Sequence, residues 1–297
     1  MTSKLEQTLG AGRQALTAEC LPPRSGDAGA VRKLASCFPP NLDAVVVADN
    51  PEEVGGSALA TAALLAAEKI EPVLSVVTRD RNRVSLQADV LGAVALDVKN
   101  ILCLSGQHQA MGLCPEAASA SDIDSIQFTQ AVNGMNKPGV DFQGQKLSAP
   151  VELFVGAAAH PYLRPMELNL IRLKKKVVSG AKFLLTQAVF DVPAFNEWME
   201  AVRKAGLDKQ VAIIVSVLPL TSLKHAQQLQ QRQTYGPVPQ DVIDRLSKAV
   251  DFAQEGFALC AATAKQLKSM SGVRGIHILC GGNEALAARL IKEAGLA

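Results

Sequence analysis

Eight short apolar runs, each followed by a stretch of different periodicity, leave this chain few architectures. They are ALTAECL (15–21), DAVVVAD (43–49), PVLSVVT (72–78), NILCLS (100–105), VELFVGAA (151–158), KFLLTQ (182–187), VAIIVSVL (211–218) and GIHILC (275–280). Most are apolar at nearly every position rather than at alternate ones. Strands buried on both faces read this way, and they belong to parallel sheets covered by helices. Eight strand–helix units predict an α/β fold, a closed (β/α)8 TIM barrel, with an open doubly wound sheet as the alternative. No linker rich in Pro, Gly and Ser divides the 297 residues, so one barrel domain over 1–297 is expected. The polar stretch NGMNKPGVDFQGQKL (133–147) reads as a long loop before the fifth strand.

The segments between the runs carry helical signals. Met166, Leu170, Leu173 and Val177 share one face of a helix over 165–179, and Val84, Leu91 and Val94 align after Arg79. In DVPAF, Asp191 can cap a helix whose first turn accepts Pro193. The stretch from Asp241 to Met270 reads as more than one helix.

Several function classes lose support at this point. No apolar run reaches the ~18 residues of a membrane span, and MTSKLEQTLGAGRQ lacks the apolar core of a secretion signal. Formal charge is +2, with acids and bases interspersed, and aromatics are 4% of the chain, which disfavours a nucleic-acid surface. Cys20, Cys37, Cys103, Cys114, Cys260 and Cys280 show neither CxxC nor zinc-finger spacing, so no metal site or iron–sulfur cluster is expected. Reduced thiols in a cytoplasmic protein are the simplest reading.

In a barrel of this class the active site lies at the C-terminal ends of the strands. Those ends carry Glu19, Asp49, Thr78 with Arg79 and Asp80, Ser105 with Gln107, His160 and Gln187. Chains often turn polar where they leave a core, but the repetition marks a mouth. Glu19, in AECLPPRSGD, would sit rigidly before Pro22 and Pro23. Burial there would favour its protonated form and suit it to general acid catalysis. Cys280-Gly281-Gly282 could cradle a phosphate or merely turn the chain, and Lys174-Lys175-Lys176 is ordinarily a solvated helix face. GxGxxG, P-loop, HExxH and GxSxG motifs are absent.

Taken in order, these segments resemble the methylenetetrahydrofolate reductase family. AECLPPRSGD, TRDRNRVSLQADVLGAVALDVKNILCLSG (78–106), VGAAAHP (155–161), RLKKKVVSGAKFLLTQAVFD (172–191), SLKHA (222–226) and RGIHIL (274–279) match over nearly the whole chain. DAVVVADNP and the DIDSIQF…MNKPGVDFQG region resemble the branch of anaerobic and acetogenic bacteria. The resemblance implies a flavoprotein, FAD rather than FMN, that reduces 5,10-methylenetetrahydrofolate by hydride transfer from flavin N5. Glu19 matches the general acid that protonates folate N10. Gln187 matches an amide against the pterin, and Gln107 and Leu223 fall at further substrate positions. Thr78, Gly106, Gln107, Ala157, Ala158, His160, Asn169 and Lys176 fall at cofactor positions, Lys176 near the flavin phosphates. Implied partners are NAD(P)H or a reduced redox protein, an iron–sulfur partner subunit, and further copies of the chain in an oligomer.

The sequence departs from the family pattern at four places. Gln107 stands where Asp is usual, Ser75 where His is expected, Ala48 where Thr is expected, and Asn169 where Asp is expected. Two other readings stay open. One is a pterin-binding methyltransferase barrel, and the other an electron-relay or scaffold subunit of a larger complex.

Overall fold

The computed structural model describes residues 2–50, 54–108, 114–232 and 235–296. Pro51, the last residue of the DAVVVADNP stretch, lies outside them. The strands are β1 (Ala15–Cys20), β2 (Ala44–Val47), β3 (Pro72–Val77), β4 (Asn100–Leu104), β5 (Phe154–Ala159), β6 (Phe183–Ala188), β7 (Ala212–Val217) and β8 (Val273–Ile278). All pair in parallel, in chain order, and β1 closes the ring on β8 through Ala15↔Gly275 to Ala18↔Ile278. The described helices are α1 (Lys4–Gly10), α2 (Ala28–Ala35), α3 (Ala58–Ala67), α4 (Arg83–Ala95), α5 (Ser125–Asn136), α6 (Met166–Val178), α7 (Val192–Lys204), α8 (Leu223–Arg232), α9 (Gln240–Ser247), α10 (Phe252–Lys268) and α11 (Ala285–Ala294). The expected (β/α)8 barrel is therefore the fold. No described helix is long and apolar enough to cross a membrane.

Strand parity divides the core in two. One set of side chains, including Ala18, Val45, Leu74, Ile101, Ala157, Leu184 and Val215, packs against the helices. The other set fills the barrel, with Ala15, Ala44, Val46, Val73, Leu102, Phe183 and Ile214 in one cluster. Phe154 and Phe183 stack inside at 5.3 Å, their planes 19° apart. Gly156 lies beside this stack, and a Cβ there would come within 2.2 Å of the Phe183 ring. Gly156→Ala is therefore expected to destabilise the barrel by about 3 kcal/mol, at the upper end of overpacking costs. Chemical denaturation checks it, and a loss under ~0.5 kcal/mol would show that the ring yields freely.

The N-terminal end of the barrel is closed by α1, which the sequence reading did not expect. Ser3 caps this helix by accepting from Glu6 N. Leu5 and Leu9 join the interior cluster. Glu71 accepts the Lys4 and Leu5 N–H groups at 2.6 and 2.9 Å, and also Asn100 Nδ2 at 3.1 Å. One carboxylate thus ties the plug to β4.

Helical faces met expectation unevenly. In α6, Leu173 is buried and Met166, Leu170 and Val177 pack against the core. In α4 the expected face is split: Val94 packs against the core, but Val84 and Leu91 are 68% and 43% exposed, while Leu86, Val90 and Ala93 are buried. Small and large apolar residues occur on both sides of this helix, so its spacing fits two faces. The segment expected as a loop over 133–147 begins inside α5, which runs to Asn136. Val151 and Leu153, expected in a strand, instead donate to Met135 O and Asn136 Oδ1 at the end of α5. The strand therefore starts at Phe154. The Asp241–Met270 stretch is covered by α9 and α10, as read.

Candidate active site

Every strand sends a side chain to one cavity of about 710 Å³ at the C-terminal mouth. Small-molecule sites typically hold ~300–1,000 Å³. Val46, Val77, Leu102, Leu104, Leu163, Leu185 and Leu279 supply apolar wall, with polar groups set between them.

Glu19 occupies the last inward position of β1 and is only 3% exposed. Its Oε2 accepts the backbone N–H groups of Cys280 and Gly281, both at 3.2 Å. Gly281 and Gly282 have φ of 55° and 80°, so a glycine turn places these amides. The turn after β8 thus holds a carboxylate of this chain in place of the phosphate weighed for it. Below Glu19, Thr17 Oγ1 and His277 Nδ1 share a 2.9 Å hydrogen bond. Burial pushes the His277 pKa down to about 3, so the ring is neutral at neutral pH.

Gln187 follows Phe183 and Leu185 on the inward face of β6, and the strand is irregular there. The register with β7 shifts between Leu185 and Ala188. Thr186 Oγ1 accepts Ser216 N at 3.0 Å, and Ser216 Oγ donates to Thr186 O at 2.5 Å. A bulge of this kind re-aims side chains, and Leu185, Thr186 and Gln187 all line the cavity. The amide that ends the apolar strand faces a binding space.

Opposite Glu19, one face of α6 lines the cavity with Asn169, Arg172, Leu173 and Lys176. Lys176 Nζ donates to Ala158 O at 2.6 Å. Burial first, then Arg172, lowers the Lys176 pKa to about 8, against a raising effect of Asp124. The Asp124 carboxylate caps α5 through Gln127 N at 2.8 Å. His160 stands at the rim with solvent access. Surrounding protein, then Lys176 and Arg172, push its pKa down to about 4. The lowered pKa keeps the ring neutral at neutral pH. Asn169 Nδ2 donates to His160 O and Leu163 O, at 2.8 and 3.1 Å, and so holds the β5–α6 connection.

Around β2 to β4 the polar groups are mostly bound to one another. Asp49 accepts Val77 N at 2.9 Å and Arg81 Nη1 at 2.6 Å. Arg79 pairs with Asp80 at 2.6 Å and donates to Gln107 O at 3.3 Å. Gly106 adopts φ 77°, and a Cβ there would fall 2.6 Å from Val77 Cγ1. Gln107 is half-buried on the cavity wall, and Ser75 and Ala48 also line it.

The cavity thus brings together Glu19, Gly106, Gln107, Ala158, His160, Asn169, Lys176 and Gln187. Three other residues expected at the site lie elsewhere. Thr78 is buried in a short turn after β3. Ala157 has the opposite parity to Ala158 and packs against the helices. Leu223 is exposed at the start of α8. Sequence reading had not singled out Arg172, Ser216, His277 or Tyr235, which all line the cavity. Asn169, Arg172, Leu173 and Lys176 stand at helical spacing, which was a usable signal. Ser216 and His277 are lone polar residues at inward positions of apolar strands.

Residues 4–295 match the family model described as methylenetetrahydrofolate reductase. The probable methylenetetrahydrofolate reductase (NADPH) of Caenorhabditis elegans is 22% identical over 254 residues, 83% of this chain and 36% of that protein. Methylenetetrahydrofolate reductase 2 of Saccharomyces cerevisiae is 36% identical over 74 residues, 23% of this chain and 12% of that protein. The 5,10-methylenetetrahydrofolate reductase of Escherichia coli is 36% identical over 67 residues, 23% of this chain and 22% of that protein. The chain therefore covers little more than a third of these relatives at most. Among solved structures, an uncharacterized Clostridium thermocellum protein that binds two copies of 5-methyl-5,6,7,8-tetrahydrofolic acid superposes with TM-score 0.69 at 17% identity, over 97% of this chain and 99% of that one. A Mycobacterium tuberculosis tryptophan synthase chain follows at TM-score 0.52 and 13% identity, over 100% of both chains. These two structures carry the fold alone.

Proposed function

The chain belongs to the methylenetetrahydrofolate reductase family, and from that premise we propose that it reduces 5,10-methylenetetrahydrofolate to 5-methyltetrahydrofolate with a bound flavin, FAD in preference to FMN. The observation that carries this reading is the pairing, across one cavity, of a buried carboxylate with a cationic helix face. That a Clostridium thermocellum protein of the same fold binds 5-methyl-5,6,7,8-tetrahydrofolic acid supports a folate as the ligand.

The donor set suits a flavin nucleotide. Lys176 and Arg172 would hold its phosphates, and Leu104, Leu163 and Leu185 offer apolar surface to its ring. When bound and reduced, that group supplies a hydride. The chain's residues do the rest. Gln187 offers an amide donor and acceptor to the pterin edge. Glu19 gives its proton to folate N10, the N10–methylene bond breaks with its electron pair passing to nitrogen, and a cation remains at N5. Hydride addition to that cation completes the reduction. Wall residues exclude water from it. The electrons come from NAD(P)H or from a reduced iron–sulfur partner subunit.

The test is direct. The purified chain is incubated with FAD or FMN, reduced without oxygen and mixed with methylenetetrahydrofolate. Flavin reoxidation with stoichiometric 5-methyltetrahydrofolate is expected. Failure to take up either flavin, or reoxidation without product, would reject the reading. Trials with NADH, NADPH and a reduced iron–sulfur protein then identify the reductant.

A further inference from the structure

Tyr235 lines the cavity and has no part in the chemistry described so far. Among the described residues on that wall it supplies the one phenyl-type ring; the other aromatic side chains there are the imidazoles of His160 and His277. The ring is held from behind. Tyr235 is 8% exposed and belongs to an apolar cluster with Ala226 and Leu229 of α8, Ile243 and Leu246 of α9, and Leu218 and Leu279 beyond the ends of β7 and β8. Its backbone is fixed to the strand that carries Gln187. Ala188 N, one residue past Gln187, donates to Tyr235 O at 2.7 Å. Gly236 then turns the chain with φ 118°, and a Cβ there would fall 3.1 Å from Gln187 Cβ and 3.2 Å from Ala188 O. A glycine is what lets the backbone lie this close against Gln187.

Strand order places the pair within the mouth. β6, β7, β8 and β1 are consecutive in the ring, and they bring Gln187, Ser216, His277 and Glu19 to one arc of the cavity. Tyr235 lies in the connection from β7 to β8, on that same arc. Lys176, by contrast, is tied to Ala158 on β5. We propose that Tyr235 is a substrate-contacting residue: its ring packs against the flat pyrimidine half of the folate, while Gln187 hydrogen-bonds the edge of the same ring system. This deepens the function proposed above and rests on it. An edge of donors and acceptors calls for an amide, and a conjugated face calls for aromatic or apolar surface. Here the two stand side by side on segments bonded to each other, so little has to be ordered when the ligand arrives.

The chain has two tyrosines, Tyr162 and Tyr235. Tyr162, whose hydroxyl donates to Asp191 O at 3.3 Å, serves as the internal control. Carbon NMR of ring-labelled tyrosine therefore gives two sets of signals, assigned with Tyr235→Phe or, if that variant does not fold, with Tyr162→Phe. The full chain loaded with FAD is titrated with 5-methyltetrahydrofolate. The Tyr235 signals should shift saturably and show NOEs to protons of the ligand's pterin, while those of Tyr162 stay in place. Tyr235→Leu should weaken folate binding by about 3- to 10-fold, the worth of one aromatic pair. Tyr235→Phe should change it by less than about twofold, since the ring is kept. Neither should alter FAD affinity. Saturable folate binding with unmoved Tyr235 signals, Tyr235 signals that respond to FAD alone, or unchanged folate affinity in Tyr235→Leu overturns the proposal and leaves the proposed function standing. Failure to take up flavin, or no saturable folate binding, rejects that function and this proposal with it.

Discussion

Glu19→Gln is expected to slow single-turnover folate reduction by about 10²–10⁴-fold while leaving flavin binding unchanged. That range is the usual contribution of a positioned general acid. The substitution is clean for a geometric reason. Cys280 and Gly281 direct two backbone N–H groups at one oxygen of Glu19. In the glutamine variant those donors select the amide oxygen, so the NH2 group takes the place of the other carboxylate oxygen. The side chain keeps its position and loses only the proton it can deliver. Flavin affinity should hold because Lys176 and Arg172 lie on α6, a different element. Anaerobic stopped-flow oxidation of the reduced flavin by methylenetetrahydrofolate measures the effect. A rate within threefold of wild type would remove Glu19 from the chemistry.

The barrel was legible because its strands are apolar on both faces, a pattern few other folds need. Its mouth was legible because polar residues recur where the runs end. Parity was the finer guide, and its neglect explains Ala157. Only one of two adjacent residues on a regular strand can face the interior, and His160 and Ala158 share that side. Gln187 keeps that parity, and no local signal in LLTQ announces the bulge beside it. The α4 face was ambiguous because a helix with apolar residues on both sides fits two registers, and only packing chooses between Leu86 and Val84. The plug helix α1 is short and half polar, so its stability comes from Glu71 and the barrel floor rather than from its own sequence. Lys176 was the least legible site residue. It ends a run of three lysines that reads as solvated, yet its neighbours Lys174 and Lys175 are exposed while it turns inward. What decides is its position seven residues after Asn169 on the same helix face.

Lys176→Met should weaken FAD binding by about 10- to 100-fold and change how binding depends on pH. A charge-assisted hydrogen bond to a phosphate contributes about 1.5–3 kcal/mol, and each 1.4 kcal/mol is roughly tenfold in affinity. In the free protein the Lys176 pKa is lowered to about 8, chiefly by burial and then by Arg172. An anion binds the protonated lysine better than the neutral amine. Wild-type affinity should therefore be full below pH 8 and decline as pH rises through that value. Methionine keeps the apolar stem and cannot titrate, so the decline should vanish in the variant. The effect of Lys176 on folding runs the other way. Its pKa is lower in the folded chain than the ordinary 10.5, so between about pH 8 and 10.5 the unfolded chain binds more protons. Across that window Lys176 makes folding more favourable as pH rises. Loss of FAD affinity in that window therefore cannot come from this residue's effect on folding. Fluorescence titration of the apoprotein with FAD from pH 6.5 to 9.5, in both proteins, reads the difference. Parallel pH profiles would show that Lys176 does not touch the phosphates, and that Arg172 holds them without it.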